Sequence, residues 1–472
     1  MTSSLPDGLP TPARYHAMAA IILGITLAVL DGTIVNLALP GIARDLHASA
    51  SHAVWVINAY QVAVLAMLLP CAMLGDLIGY KRVYLYGTAL FTVASLGCVV
   101  ADSLPTLALA RAVQGVGAAA LMGVNSALVR LIYPRSLLGR GIAINSMVVA
   151  TASVAGPSIA AAILSVASWP WLFAINLPLG ALVVFIGRRP LPENALPPAR
   201  GARLSWFDVA LNALMFGLVV LGGDRLGVGA GAEGGSGGSM AGGLLLLGAG
   251  IAVGVVYVRR QLSLVVPLFP VDLLRIPVFR LSMCASVCAF TAQMMAYISL
   301  PFLILDAYGR SPAEAGLLVT AWPLGVVAIA PLVGRLIGRY PDGALGGIGM
   351  AMLAAGLALA AALPAHPSDF DIVWRLALCG LGFGLFQSPN NHTIVTSAPA
   401  HRSGGASGML GTARLTGQTL GAVLLATVFS FFDAHNGRGP FVALVISACF
   451  ATCAALASSL RVRHVPEAAT AH

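Results

Sequence analysis

Two ionisable side chains stand inside long apolar runs, Asp31 in LAVLDGTIVNLALP and Arg111 in LALARAVQGVGAAAL. Such a group costs a membrane helix about 2.5–3.5 kcal/mol on insertion scales, so it needs a partner or a cavity. Desolvation disfavours a carboxyl's charged form, which suits a group that binds and releases protons. An arginine keeps its charge and needs an acid or a carbonyl. Asp31 is the obvious acid for Arg111 in this part of the chain, and it is the candidate proton-binding group. Arg111, Gln114 and Gly115 share one helix face. The competing readings are a locally paired structural aspartate and a snorkelling arginine.

Further polar residues interrupt the apolar runs. The stretch Leu74–Arg82 holds Asp76, then Gly79 for a tight turn, then Lys81 and Arg82 as a basic anchor. Gly156 and Pro157 combine close helix approach with a kink. Asn36, Gln61, Gln114, Gln293, Tyr297, Gln387, Asn391 and Arg414 are candidates for a substrate cavity, with interhelical hydrogen bonding as the alternative. No metal site is expected. His392 has no second histidine nearby, and the 7 cysteines lie in apolar runs without acidic or histidine partners. No glycine-rich Lys-Ser/Thr loop exists for ATP, so neither a cofactor nor an enzymatic reaction is expected.

The elements that hold these residues follow from composition. The 472 residues are 58% hydrophobic and 9% charged, against roughly 25% charged in a soluble domain. The mean hydropathy is +0.90. The net charge of +9 is scattered singly and in pairs, which fits membrane topology and not nucleic-acid binding. A helix crosses the hydrocarbon with about 20 apolar residues. Fourteen spans are expected near 17–40, 53–75, 82–101, 105–128, 139–164, 168–187, 206–223, 242–258, 279–304, 313–334, 343–363, 372–395, 404–431 and 439–460. With both termini in the cytoplasm, nineteen of the 26 Lys and Arg lie on that side. Arg44, Arg225, Arg310 and Arg438 lie outside, and Arg111, Arg375 and Arg414 fall within spans. That asymmetry is a positive-inside signal and supports the count. The glycine-rich stretch Gly227–Gly243 is expected to be an outer loop. Trp169 and Trp171 are expected in an interfacial aromatic belt. Residues 1–16 lack the pattern of a removable signal.

Three echoes recur in order. Asp76–Gly79 matches Arg335–Gly338 loosely at an offset of 259, Gly115/Gly117 matches Gly380/Gly382 at 265, and Gly156 matches Gly417 at 261. Internal repeats are common in transporters. They imply a 6+2+6 arrangement: an N-terminal six-helix bundle over 1–187, linkers plus two inserted helices over 188–276, and a C-terminal six-helix bundle over 277–472.

These features resemble the major facilitator superfamily, and within it the fourteen-span drug:proton antiporter family. The resemblance rests on Leu30–Pro40, on Leu74–Arg82, on Leu107-x-x-x-Arg111-x-x-Gln114-Gly115-x-Gly117-Ala118, on Ala155–Ser158 and on Trp169–Gly180. It departs at Ala72, Leu77 and Pro170, where the family prefers Gly, Arg and Arg. It implies an all-α membrane protein of the major facilitator fold. It further implies proton transfer at Asp31 and Arg111, a gate at Asp76 that meets a helix N-terminus of the opposite half, and an antiporter motif at Gly156-Pro157. The expected protein is a monomeric multi-pass exporter in the bacterial inner membrane. It would exchange protons for small, lipophilic or cationic organic compounds across the lipid bilayer by alternating access. The alternatives are an uptake carrier or an exporter of one metabolite on the same fold.

Overall fold

The computed structural model describes the chain apart from residues 1–6, 48–52, 54, 195–202, 232–236, 265–266, 311, 365, 400–401, 433–436 and 465–472. Among the described residues there is no β-strand, only an isolated bridge between Ile337 and Tyr340. The first helices are α1 (Ala13–Asp45), α2 (Trp55–Ile78), α3 (Tyr80–Val99), α4 (Leu104–Ile132), α5 (Leu138–Leu164), α6 (Pro170–Ala174) and α7 (Asn176–Gly187). Next come α8 (Trp206–Gly231) and α9 (Gly237–Gln261). The last group is α10 (Pro277–Phe302), α11 (Pro312–Val319), α12 (Ala321–Leu336), α13 (Asp342–Ala361), α14 (Asp369–Ser397), α15 (Ser403–Phe431) and α16 (Arg438–Leu460).

Among the described residues, 11 stretches are long and apolar enough to cross a membrane; α6–α7 supply one of them and α11–α12 another. Three long helices, α5, α14 and α15, fall outside that set. Polar residues explain two of them: Gln387, Asn390, Asn391 and His392 in α14, Arg414 and Gln418 in α15.

Two glycine devices repeat along the chain. Gly79 before α3 and Gly338 after α12 both turn the chain at positive φ, 106° and 85°, where a side chain is strained. Gly115 lets α4 close on α2, since a Cβ there would lie 2.6 Å from the Tyr60 carbonyl oxygen. Gly380 does the same for α14 against the Trp322 carbonyl of α12. Forcing a larger residue into such a contact costs about 1–3 kcal/mol. Apolar packing follows the same division. One interior gathers Ile21, Tyr84, Leu121 and Val183 from the first helices, and another gathers Ala289, Trp322, Leu353 and Leu444 from the last group.

Helix α8 touches both helix groups. Asn212 of α8 donates its Nδ2–H to the Ala66 carbonyl of α2 at 2.7 Å, and Gly223 lies against Val423 of α15. Helix α9 packs on α8 and leaves Leu244, Leu245, Ile251, Val255 and Val256 exposed, a face suited to lipid.

Two expectations change. The stretch Gly227–Gly243 is largely helical, because α8 continues to Gly231 and α9 begins at Gly237. Glycine costs a helix about 1 kcal/mol per residue, but an unpaired backbone group in hydrocarbon costs several. Of the two tryptophans, Trp171 is exposed as a belt residue should be. Trp169 is buried, and its indole N–H donates to Asp45 at 3.0 Å.

Candidate functional site

Five helices converge on Asp31. The residue is 1% exposed in the interior of the first helix group, as is Arg111. Arg111 Nη1 lies 2.5 Å from Asp31 Oδ2. Two neutral amides complete the cage: Gln114 Nε2 donates to Asp31 Oδ1 at 2.9 Å, and Asn176 Nδ2 donates to the same oxygen at 2.7 Å. Gln114 is fixed in turn, giving its other N–H to Ser95 Oγ at 2.8 Å and accepting from Arg111 Nη1 at 2.6 Å. Arg111 Nε donates to the Val56 carbonyl at 3.2 Å, and its guanidinium stacks 4.1 Å from the Tyr60 ring centroid. The Tyr60 hydroxyl donates to the Ala28 carbonyl at 3.1 Å. A charge pair this deep is held by further bonds, since both Asp31 oxygens and the Nε and Nη1 of Arg111 have partners.

This geometry corrects one expectation. Gln114 does not line a cavity; it is 0% exposed and belongs to the Asp31 cage. The one-turn spacing to Arg111 put both on the face that meets α1. Asn176 and Ser95 were not singled out beforehand. A polar residue in an apolar run was the available signal, but its partner depends on how each helix is rotated.

A second polar cluster closes the end of the bundle that carries Lys81 and Arg82. Asp76 Oδ1 accepts from the Tyr80 hydroxyl at 2.6 Å and from the Gly404 backbone N–H at 3.0 Å. Gly404 stands in the first turn of α15, where the helix dipole favours an acid. Asp76 Oδ2 is buried without a partner among the described residues. Gly404 and Gly408 admit α15 onto Ala72, so the small residue in place of the family's glycine still permits contact. Nearby, Arg130 Nη1 donates to the Val395 and Ala398 carbonyls and to Ser403 Oγ. The Ser126 N–H donates to Ser407 Oγ at 3.2 Å.

Two linkers reach the same place. Asn194 bridges the Gly79 turn, donating to the Gly75 carbonyl and accepting from the Tyr80 N–H, both at 2.9 Å. Arg402 holds Asp272 with two bonds of 3.0 and 2.8 Å and donates to the Pro267 carbonyl. Lys81 is half-buried and Arg82 exposed, and neither forms an ion pair among the described residues.

The remaining candidates are dispersed. Gly156 packs against Thr33 of α1. Pro157 lies in α5 and Asn36 in α1, but their side chains are outside the described residues. Gln61 is exposed; Gln293, Gln387 and Asn391 are half-buried. The Tyr297 ring lies tilted against the Trp322 ring, with centroids 4.9 Å apart. Arg414 is half-buried on α15, and its Nε has no hydrogen-bond partner among the described residues.

A polar cluster that the sequence did not predict lies at the basic end of the last helix group. Arg461, just beyond α16, is buried and donates to Ser282 Oγ at 2.8 Å and Asn390 Oδ1 at 2.7 Å. Burial pushes its guanidinium down to about 10, while the Asp342 charge opposes the shift. His392 Nδ1 lies 2.6 Å from Asp342 Oδ2. No metal-ligand cluster occurs among the described residues.

Comparison with known proteins adds the following. The family model described as Major Facilitator Superfamily matches residues 21–282 and 282–471. The chain is 52% identical over 456 residues to "Uncharacterized transporter YebQ" of Escherichia coli, covering 97% of each chain. It is 31% identical to "Multidrug resistance protein Stp" of Mycobacterium tuberculosis, covering 86% of this chain and 74% of that one. It is 28% identical to "Riboflavin transporter RibZ" of Clostridioides difficile, covering 90% of each. Among solved structures, the human organic anion transporter MFSD10 superposes with a TM-score of 0.68 at 15% identity, over 95% of this chain and 100% of that one. At that identity the likeness speaks for the fold alone.

Proposed function

The chain belongs to the major facilitator superfamily and is a multi-pass membrane transporter, not an enzyme, and from that premise we propose that it exports small organic compounds in exchange for protons. The observation that carries this reading is the caged Asp31–Arg111 pair. Three donors, one a permanent cation, complement a carboxylate that is sealed from both faces. Protonating it requires the cage to open. A conformational change that moves α1 against α4 therefore exchanges proton access for substrate access, which is the logic of alternating access.

The gate supports the same cycle. The Asp76–Gly404 bond, the Arg130 contacts and the Ser126–Ser407 bond all cross between helix groups at the basic end. Positive charge marks the cytoplasmic side, so this is the form closed to the cytoplasm. Adding α5, α14 and α15 to the 11 apolar stretches gives fourteen crossings in a 6+2+6 order, with both termini cytoplasmic in a bacterial inner membrane. Relatives named as a multidrug resistance protein and a multidrug efflux pump favour a range of lipophilic substrates. A second reading, a carrier for a single metabolite, is favoured by the relative named as a riboflavin transporter.

Inverted vesicles with an imposed pH gradient separate these outcomes. Proton-driven accumulation of several unrelated lipophilic dyes is expected. Accumulation of a single compound would favour the metabolite carrier. Release of substrate from the vesicles when the gradient is imposed, in place of uptake, would overturn export.

A further inference from the structure

Of the three arginines that the sequence places within membrane spans, two have an acid. Arg111 pairs with Asp31, and Arg375 pairs with Asp371 at 3.0 Å. Arg414 makes no ion pair among the described residues, and its buried Nε has no hydrogen-bond acceptor. The residue as a whole is half-buried, while its Nε is fully enclosed.

Its place on α15 follows from its neighbours. Ser407 and Gly411 precede it on the same helix face, and they meet Ser126 of α4 and Leu68 of α2. Further along the helix, Gly417 and Gly421 close on α10, where a Cβ would lie 2.6 and 2.7 Å from the Val287 and Thr291 carbonyls. Arg414 lies between these two sets of contacts, about two turns beyond Ser407, where α15 passes from the first helix group to α10. Tyr60 of α2 is the group of the first helix bundle within electrostatic reach of it. Tyr60 offers no compensation, since its hydroxyl is spent on the Ala28 carbonyl. The neighbouring Arg111 charge is already cancelled by Asp31. Among the described residues, Arg414 is thus a permanent positive charge at the seam with neither an acid nor a hydrogen-bond acceptor, in a low-dielectric setting.

We propose that Arg414 is the anion-binding group of the substrate site, and that the exported compounds carry a carboxylate or sulfonate on a small organic body. The proposal rests on the export reading for the word "exported", and within it replaces the cationic substrate class with an anionic one. A cation placed in the seam meets repulsion; an anion supplies the missing partner of a costly intramembrane charge. Gln418, one turn on and half-buried, adds a neutral donor on the same side. A net-anionic lipid headgroup has the same chemistry and is the competing occupant.

The test is equilibrium binding of two tritiated isosteres, naphthalene-1-sulfonate and the neutral naphthalene-1-sulfonamide. The full chain is held in phosphatidylcholine nanodiscs at a single pH. The wild type is expected to bind the sulfonate at least about tenfold more tightly, as one charge-assisted hydrogen bond predicts. Arg414→Gln should remove that preference and leave sulfonamide binding within about twofold. Arg414→Lys should recover part of it. Equal affinity of the wild type for both probes would overturn the proposal, as would an unchanged preference in Arg414→Gln. If Arg414→Gln fails to fold, the wild-type ratio and the lysine variant decide. Loss of sulfonate binding when phosphatidylglycerol replaces phosphatidylcholine would assign Arg414 to a lipid headgroup and overturn it too. Binding at equilibrium needs no proton gradient, so failure here leaves the export reading standing, and the vesicle assay can fail without touching this one.

Discussion

Replacing Asp31 with asparagine isolates the charge from the shape of its cage. The amide oxygen can still accept from Asn176 and Gln114, which now donate to Asp31 Oδ1 at 2.7 and 2.9 Å. What disappears is the counter-charge for Arg111, which is 1% exposed. Removing one partner of a buried pair costs about 3–5 kcal/mol, because the other charge stays buried and unpaired. Arg111 keeps acceptors at the Val56 carbonyl and Gln114 Oε1 and keeps its stack on Tyr60. The loss should therefore fall at the low end, about 3 kcal/mol, which is more than a hundredfold in the folding equilibrium.

Two measurements follow on the same purified variant. Unfolding in detergent should show that loss, while proton-driven substrate accumulation in inverted vesicles falls to background and downhill exchange persists. The double variant Asp31→Asn/Arg111→Gln buries no charge at this site. It should recover at least half of the lost stability but none of the coupling. Stability equal to wild type in the single variant would mean that the pair does not hold the cage. Full coupling in that variant would mean that another group carries the proton.

Two further outcomes test the seam. Asp76→Asn trades a charged acceptor for a neutral one at the Gly404 N–H, a loss of about 1 kcal/mol. It should raise cytoplasmic alkylation of a Ser126→Cys reporter about fivefold in a cysteine-depleted background; an unchanged or slower rate would count against the gate. Gly156→Val forces a side chain into Thr33 of α1. It should cost about 1–3 kcal/mol of stability and abolish transport with insertion intact, whereas wild-type export would show that close α1–α5 packing is dispensable.

The helices were legible because apolar runs of membrane length leave the backbone no other solution. Their contacts were legible where a residue's type admits few partners. A buried arginine needs an acid, and Asp31 was the obvious one within reach. The positive φ of Gly79 and the close approach at Gly115 likewise demand glycine and nothing else. Gln114 was misplaced for the converse reason. An amide satisfies itself against a cavity, a carbonyl or a charge, so its type does not choose between them. The same ambiguity hid Asn176, Ser95 and Asn194, whose partners lie 145, 19 and 119 residues away along the chain.

The linkers were opaque for a different reason, since they lack periodicity. Yet Asn194 comes from the segment before the inserted helices, and Asp272 from the segment after them. Both end on the turn and helix start that Asp76 and Gly404 join. Helix α8 lies between them along the chain and packs on α2 and α15, the two helices that form this gate. For the gate to open, α15 must leave α2, and α8 must then slide on at least one of them. On the proposed 6+2+6 arrangement, α8 and α9 would brace the seam that moves. Their glycine-rich ends and the small residues on α8 suit a surface that must slip and still stay sealed from lipid.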